Sequence, residues 1–169
     1  MMSKRILLYT CLPILLLLWQ SCGIYSFSGA SVPPEVQTVS VLYFKNEASL
    51  VNARLSPLLT EKMQNKFVNE TRLNLKDRGG DLEFSGAVVN YTVVPVALNS
   101  NERASLSRLT IEVRCTYLNR LSQETWTNSF TRYEDFESTL TLREVEDQLI
   151  ENITKQITDD IFNKALVNW

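Results

Sequence analysis

The chain has 169 residues, with 17 basic and 19 acidic side chains and no histidine. This length predicts one domain rather than two large ones, and the near-neutral charge disfavours a nucleic-acid-binding scaffold, which usually carries a basic excess. The missing histidine excludes Ser-His-Asp and Cys-His catalysis as well as histidine metal ligands. No nucleotide-binding loop or metal-spaced cysteine cluster occurs either. These absences disfavour an enzyme without excluding one, since carboxylate pairs and lysines remain. The sequence predicts no cofactor, no metal and no nucleic-acid partner.

The N-terminus has the pattern of a secretory signal. Lys4 and Arg5 precede an apolar run at 6–18, which is too short for a comfortable transmembrane helix. Ser-Cys-Gly at 21–23 then resembles a bacterial lipobox, with Trp at position 19 where that pattern prefers leucine. We expect residues 1–21 to be a lipoprotein signal peptide and Cys22 to be the lipid-attachment residue. The alternatives are an uncleaved anchor or an ordinary secreted protein with a chance cysteine.

The cysteines fit this interpretation. Cys11 would leave with the signal peptide and Cys22 would carry lipid, so only Cys115 remains and no intramolecular disulfide is possible. Cys115 lies on the apolar side of an alternating segment, which predicts a buried, inert thiol. Residues 22–35 contain Gly, Ser and a Pro pair and are expected to be the lipidated cysteine and its tether. Residues 36–169 are expected to form one domain.

The periodicity of this domain predicts seven elements. Alternating β-branched residues indicate strands, and apolar residues at four-residue spacing indicate two helices, which Ser56-Pro57 and Thr141 with Glu144 would open. In chain order these are a strand at 36–44, a helix at 56–70, a short strand at 73–75, strands at 82–97, 105–119 and 125–136, and a helix at 143–167. Short connections between the last three strands predict antiparallel hairpins. The expected fold class is α+β: two helices packed on one face of a mainly antiparallel four- to five-stranded sheet, a two-layer sandwich.

One predicted strand departs from simple alternation. Val88 and Val89, then Val93 and Val94, place apolar groups on both faces of the segment 82–97. A sheet with one solvated face does not need this pattern. The strand is therefore either covered on both sides or interrupted by a bulge, and Pro95 suits an edge or a bulge.

Arginines recur along one of the hairpin strands. Arg108, Arg114 and Arg120 share the parity opposite to the apolar residues, and Arg103 precedes them. Arginine suits bidentate binding of phosphate, so these four residues are candidate contacts for an anionic ligand. The alternative is an exposed polar face with cross-strand ion pairs.

Several segments together resemble one family. Cys-Gly-Ile-Tyr-Ser-Phe-Ser-Gly at 22–29, the strand at 39–44, Gly-Asp-Leu-Glu-Phe-Ser-Gly at 80–86 and Asp-Ile-Phe-Asn at 160–163 are similar to the lipopolysaccharide-assembly lipoprotein family, LptE, in its Bacteroidetes-type form. The start at Cys22 is the most specific of these matches. The resemblance covers essentially the whole chain after the signal.

The resemblance implies a location and a role. Members of this family are non-enzymatic lipoproteins of Gram-negative bacteria, held by N-terminal acyl chains on the periplasmic face of the outer membrane. They bind inside the LptD β-barrel, help it to fold, and take part in delivering lipopolysaccharide to the outer leaflet. By this resemblance the expected partners are an LptD-type barrel and lipopolysaccharide, whose phosphates the arginines would meet. A lipid-anchored ligand-binding protein or pilotin-like chaperone of another outer-membrane complex is the alternative, and a carboxylate-based hydrolase is a weaker one.

Overall fold

The computed structural model of the protein describes residues 32–50, 52–96 and 106–167. In chain order, the strands and helices of these ranges are β1 (Thr38–Val41), β2 (Lys45–Asn46), α1 (Leu55–Glu70), β3 (Asn74–Lys76), β4 (Leu82–Val96), β5 (Leu106–Asn119), β6 (Glu124–Glu137) and α2 (Leu142–Leu166).

The strands form one mixed sheet in the order β3-β1-β4-β5-β6, with β2 pairing beside β1 on the same edge of β4. The β4-β5-β6 meander is antiparallel, as its short connections predict. By contrast, β1 is parallel to both β3 and β4, because α1 crosses over the sheet between them. The predicted α+β class, with two helices on a sheet, is confirmed. The sheet has six strands, of which β2 contributes only two residues.

The helix α1 begins one residue before the predicted start. Its N-cap is Arg54, whereas the predicted cap Ser56 lies inside the helix with a buried side chain. Pro57 is consequently the third helical residue, where it loses no hydrogen bond because the first amides of a helix have no internal acceptor. The apolar stripe faces the sheet as predicted, and all its members are buried: Leu55, Leu59, Met63 and Phe67.

The helix α2 supplies the other half of the helical layer. Its first turn has the predicted capping box, in which the Glu144 carboxylate accepts hydrogen bonds from the amide of Thr141 at 2.7 Å and from its hydroxyl at 2.8 Å. The stripe of Leu149, Ile153, Ile157 and Ile161 is buried against the sheet. Among the described residues, no helix combines the length and apolar character needed to cross a membrane.

A β-bulge explains the first pair of valines in β4, Val88 and Val89. The register with β5 slips between Val88 and Asn90, which leaves Val89 as the extra residue. Of the two alternatives that the sequence leaves open, the structure therefore shows the bulge. Pro95 pairs with Ser107 on one side, and no described strand lies on its other side. A residue without an amide hydrogen is tolerated at such an edge.

An aromatic chain joins the helices to the sheet. Phe67 of α1 packs on Phe84 with ring centroids 4.5 Å apart, and Phe84, Tyr117 and Trp126 follow at 5.2 Å steps across β4, β5 and β6. Cys115 lies in the same core and is fully buried, as predicted. Burial raises the pKa of its thiol to about 12, which keeps it protonated and unreactive at neutral pH.

Candidate functional site

The face of the sheet that points away from the helices, which we call the outer face, carries the predicted arginines. Along β5 the odd-numbered residues from Leu109 to Asn119 are buried, whereas the even-numbered ones are half-buried or exposed on the outer face. Hydroxyl side chains from three strands make up much of this face: Ser85, Thr92, Thr110, Thr116, Thr125, Thr127, Ser129 and Thr131. The outer face is therefore rich in hydrogen-bond donors and acceptors, with Val94 and Tyr133 as exposed apolar side chains among them.

Arg108 stands at one end of the outer face and is ion-paired. Its Nε and Nη2 atoms donate to the two carboxylate oxygens of Asp135 at 2.7 and 2.9 Å. Its guanidinium also lies over the ring of Tyr133, 3.8 Å from the centroid. The hydrogen bond from Arg108 holds the pKa of the Asp135 carboxyl below its usual range. This cross-strand ion pair is the alternative that the sequence left open for the arginines.

Arg120 stands at the opposite end, just after β5. Its Nη2 donates to Glu83 Oε2 at 2.8 Å, and this hydrogen bond is the main reason that the pKa of the Glu83 carboxyl is lowered. The backbone amide of Arg120 donates to the carbonyl of Asp81 at 2.8 Å. The residue therefore ties the β5–β6 turn to the start of β4.

Arg114 lies between these two ion pairs and is exposed. Its neighbours across the strands are Ala87 and Ser129, both too short to compete with a ligand for the guanidinium. Next to them the hydroxyls of Thr116 and Thr127 are 2.9 Å apart. No ion pair found within the described part of the chain includes Arg114. Its guanidinium can therefore bind an outside anion without first breaking an ion pair.

The spacing of the arginines decides what they can bind together. Arg108, Arg114 and Arg120 are six residues apart along the strand, which corresponds to about 20 Å per interval. They therefore cannot converge on a single phosphate, and each would meet a separate anionic group. Arg103 and Cys22, the other two predicted site residues, lie outside the described residues.

Two of the arginines, Arg108 and Arg120, form ion pairs with carboxylates that were not identified from the sequence. The turn after β5 sets the pairing of Arg108 with Asp135, so counting back from that turn along both strands could have found the ion pair. Glu83 reaches Arg120 from the neighbouring strand β4. Because β4 contains the bulge, the same counting would fail for residues beyond Val89.

A groove of about 350 Å³ between α1 and α2 is the other candidate site. Lys66 in its wall is held by Glu70 and Asp159, each at 2.7 Å, and Lys62 is paired with Glu151. These carboxylates leave little net positive charge for an anion. Within the described ranges there is also no cluster of acidic or cysteine side chains that could hold a metal.

Solved structures resemble this chain at low sequence identity, and two of them share its fold with TM-scores of 0.50 or more. Protein XCC0632 from Xanthomonas campestris is 13% identical with a TM-score of 0.54, and the match covers 82% of this chain and 91% of that one. The hypothetical protein CT253 from Chlamydia trachomatis is 6% identical with a TM-score of 0.50, covering 78% and 99%. A minor lipoprotein from Acinetobacter baumannii is 17% identical with a TM-score of 0.43, covering 78% and 97%.

The sequence also matches a family model. No curated protein sequence gives a significant match to the chain. The model named LptE, lipopolysaccharide-assembly, however, matches residues 36–165, which include every helix and strand described above except the last residue of α2. The chain therefore belongs to the LptE family of lipopolysaccharide-assembly lipoproteins.

Proposed function

We propose that the protein is the lipoprotein subunit of a lipopolysaccharide translocon, which acts as the plug and assembly partner of an LptD-type β-barrel. In this proposal acyl chains on Cys22 hold it at the periplasmic face of the outer membrane, and the plugged barrel delivers lipopolysaccharide to the outer leaflet. The observation that carries the proposal is the family match over residues 36–165. The lipobox-like segment before the matched residues supports the anchor, because three acyl chains on one cysteine would hold the protein stably in a membrane.

The outer face is suited to contact with a barrel interior. The lumen of a transmembrane β-barrel is polar, and its lining side chains alternate with lipid-facing ones. A plug must therefore offer polar groups along its surface rather than an apolar patch. The hydroxyl groups and ion-paired arginines of the outer face provide such a surface.

Within this function, Arg114 is the residue best placed to meet a phosphate of lipopolysaccharide. It is exposed, unlike half-buried Arg108, and no described carboxylate pairs with it, unlike Arg120. Hydroxyls of Ser129 and Thr127 flank it and can donate to the remaining phosphate oxygens. The ligand chemistry that we propose is a phosphate monoester on a lipid.

The test is binding of purified lipopolysaccharide to the full-length protein in detergent. We expect Arg114→Ala to weaken binding about tenfold, since a hydrogen bond to a charged group contributes about 1.5–3 kcal/mol. Arg143→Ala is the matched control, because Arg143 is an exposed arginine at the start of α2. With dephosphorylated lipopolysaccharide the difference between wild type and Arg114→Ala should disappear. Equal affinity of wild type and Arg114→Ala for the phosphorylated ligand would contradict this role.

A further inference from the structure

The strand β6 forms a long free edge of the sheet. Among the described residues it pairs only with β5, through fourteen consecutive residue pairs without a bulge. Proteins usually protect such edges with short strands, bulges, proline or lysine. Between Thr125 and Thr131 this edge has none of these devices and no charged residue, and the charged side chains of β6 lie outside that segment. No described strand pairs with its outward amides and carbonyls, so they can pair with a strand of another chain.

The sequence of this edge is complementary to itself when it pairs antiparallel. If Asn128 lies opposite Asn128 of a second copy, Thr127 meets Ser129 and Thr125 meets Thr131. On the helix side of the sheet Trp126 then meets Phe130. Pairs of hydroxyl residues and pairs of aromatic residues are among the cross-strand combinations that stabilise antiparallel strands.

Charge agrees with the same register. Glu124 of each copy comes opposite Arg132 of the other, so that the nine-residue pairing has an attractive pair at each end. Arg132 is exposed and already donates two hydrogen bonds to Asp160 of α2 at 2.6 Å, and its remaining donors can serve the second carboxylate.

The helix layer leaves room for this contact. Trp126 and Phe130 lie on the helix side of β6 and yet are only half-buried, and Asn128 between them is exposed. The edge of the sheet therefore extends beyond the cover that α2 provides. The exposed part of these two aromatic side chains would be buried by their counterparts in a second copy.

We propose that β6 is a self-association edge, through which two copies of this chain join into one continuous sheet about a two-fold axis at Asn128. The interface is isologous, so each favourable pair occurs twice. The strand that pairs with β6 in this proposal belongs to a second copy of the chain that is not bound to another partner. This inference rests on the edge itself and does not depend on the proposed translocon function.

Cysteine cross-linking tests the register directly. Both cysteine variants carry Cys115→Ala, because Cys115 lies directly opposite Asn128 on β5 and could otherwise form a disulfide with the new cysteine within one chain. In Asn128→Cys the two new cysteines of the dimer face each other with Cα atoms about 4.5–5.5 Å apart, which is within the range of a disulfide. Thr125→Cys is the matched control, since its cysteine would lie opposite Thr131, about 20 Å from its counterpart. After mild oxidation of the full-length protein in membranes of cells that overproduce it, so that copies without another partner are present, we expect a disulfide-linked homodimer from Asn128→Cys and little from Thr125→Cys.

Charge reversal provides a second test in the full-length protein in detergent. Glu124→Arg places like charges opposite Arg132 at both ends of the pairing, and we expect the dimer dissociation constant to rise about tenfold or more in sedimentation experiments. Glu137→Arg makes the same change of charge on β6 outside the nine-residue pairing and should leave the constant unchanged.

Three results would overturn the proposal. The first is equal cross-linking of the Asn128→Cys and Thr125→Cys variants, or none in either. The second is an equal effect of the two charge reversals. The third is an Asn128→Cys adduct with a different protein, which would show that another chain occupies the edge.

Discussion

Gly86 occupies a position at which no side chain fits. A Cβ atom there would lie 2.7 Å from Cε1 of Phe44 and 2.1 Å from the carbonyl oxygen of Arg114. Phe44 follows β1 and is fully buried, so its ring cannot move aside into solvent. The glycine therefore allows the segment after β1 to pack closely on β4. The sequence shows Gly86 inside a predicted strand, but only the structure identifies the ring that requires it.

This contact predicts the effect of one methyl group. We expect Gly86→Ala to lower the free energy of unfolding by about 1–3 kcal/mol, because the added carbon overpacks the core and displaces backbone. Urea unfolding of the full-length protein in detergent measures the change. Ser85→Ala is the control, since Ser85 precedes it on the outer face. Equal stability of Gly86→Ala and Ser85→Ala would show that the core accommodates the methyl group.

At the scale of elements, carboxylates secure the junctions between strands and helices. Asp81, at the start of β4, accepts hydrogen bonds from the amides of Gln37 and Thr38 at 3.0 and 2.9 Å. These bonds hold the pKa of Asp81 below its ordinary value. The hydrogen bonds from Thr141 lower the pKa of Glu144 in the same way at the start of α2. Each carboxylate therefore stabilises the fold only while it is ionised.

The sign of the resulting pH dependence follows from linkage. A carboxyl whose pKa is lower in the folded state contributes stability that is present above its unfolded pKa, about 4, and lost as the pH falls through the folded value. Since the chain has no histidine, no unperturbed side chain titrates between pH 5 and 8. We expect the urea midpoint to be the same at pH 7.5 and 5.5 and lower at pH 3.

The variant Asp81→Asn provides the control for this prediction. It removes one of the ionised carboxylates, so its urea midpoint should fall less between pH 5.5 and pH 3 than that of wild type. A wild-type midpoint that already drops between pH 7.5 and 5.5 would contradict the linkage argument. So would an acid response that is identical in Asp81→Asn and wild type.

The elements differ in how far the sequence predicts them. The hairpin β5–β6 and the apolar stripes of both helices follow from local periodicity. The mixed pairing of β1 does not follow from periodicity, because its partners β3 and β4 lie beyond α1 in the sequence. The strand predicted at 36–44 is also shorter in the structure, which shows β1 at Thr38–Val41. The chain around Val36 and Phe44 is instead fixed by burial of these two side chains.

The candidate site was predictable to a similar extent. Parity along β5 placed Arg108, Arg114 and Arg120 on one side of the sheet, and the structure shows them on or beside the outer face. Their ion pairs depend on residues brought in by neighbouring strands, which parity alone does not reveal. The number of arginines on the outer face therefore overstates its positive charge, because carboxylates neutralise Arg108 and Arg120.

At the scale of the whole molecule, the two helices cover one face of the sheet, and no described element covers the outer face. The helix side holds the apolar core, and the outer face offers hydroxyls and arginines. An apolar core and a polar surface are enough for a protein that acts alone. A plug must in addition fit its polar surface to the polar lumen of a barrel. In the proposed function a barrel surrounds the domain, and the outer face contacts the polar lining of that barrel. Membership of the LptE family supports this account.

The central claim is tested by the partner that this protein retains in the membrane. The measurement is affinity purification of the tagged full-length chain from detergent-solubilised native membranes, followed by mass spectrometry of the proteins recovered in stoichiometric amount. The account predicts one large outer-membrane β-barrel protein at about one to one. Recovery of the chain without a barrel, or with a secretin or another machine in its place, would contradict it.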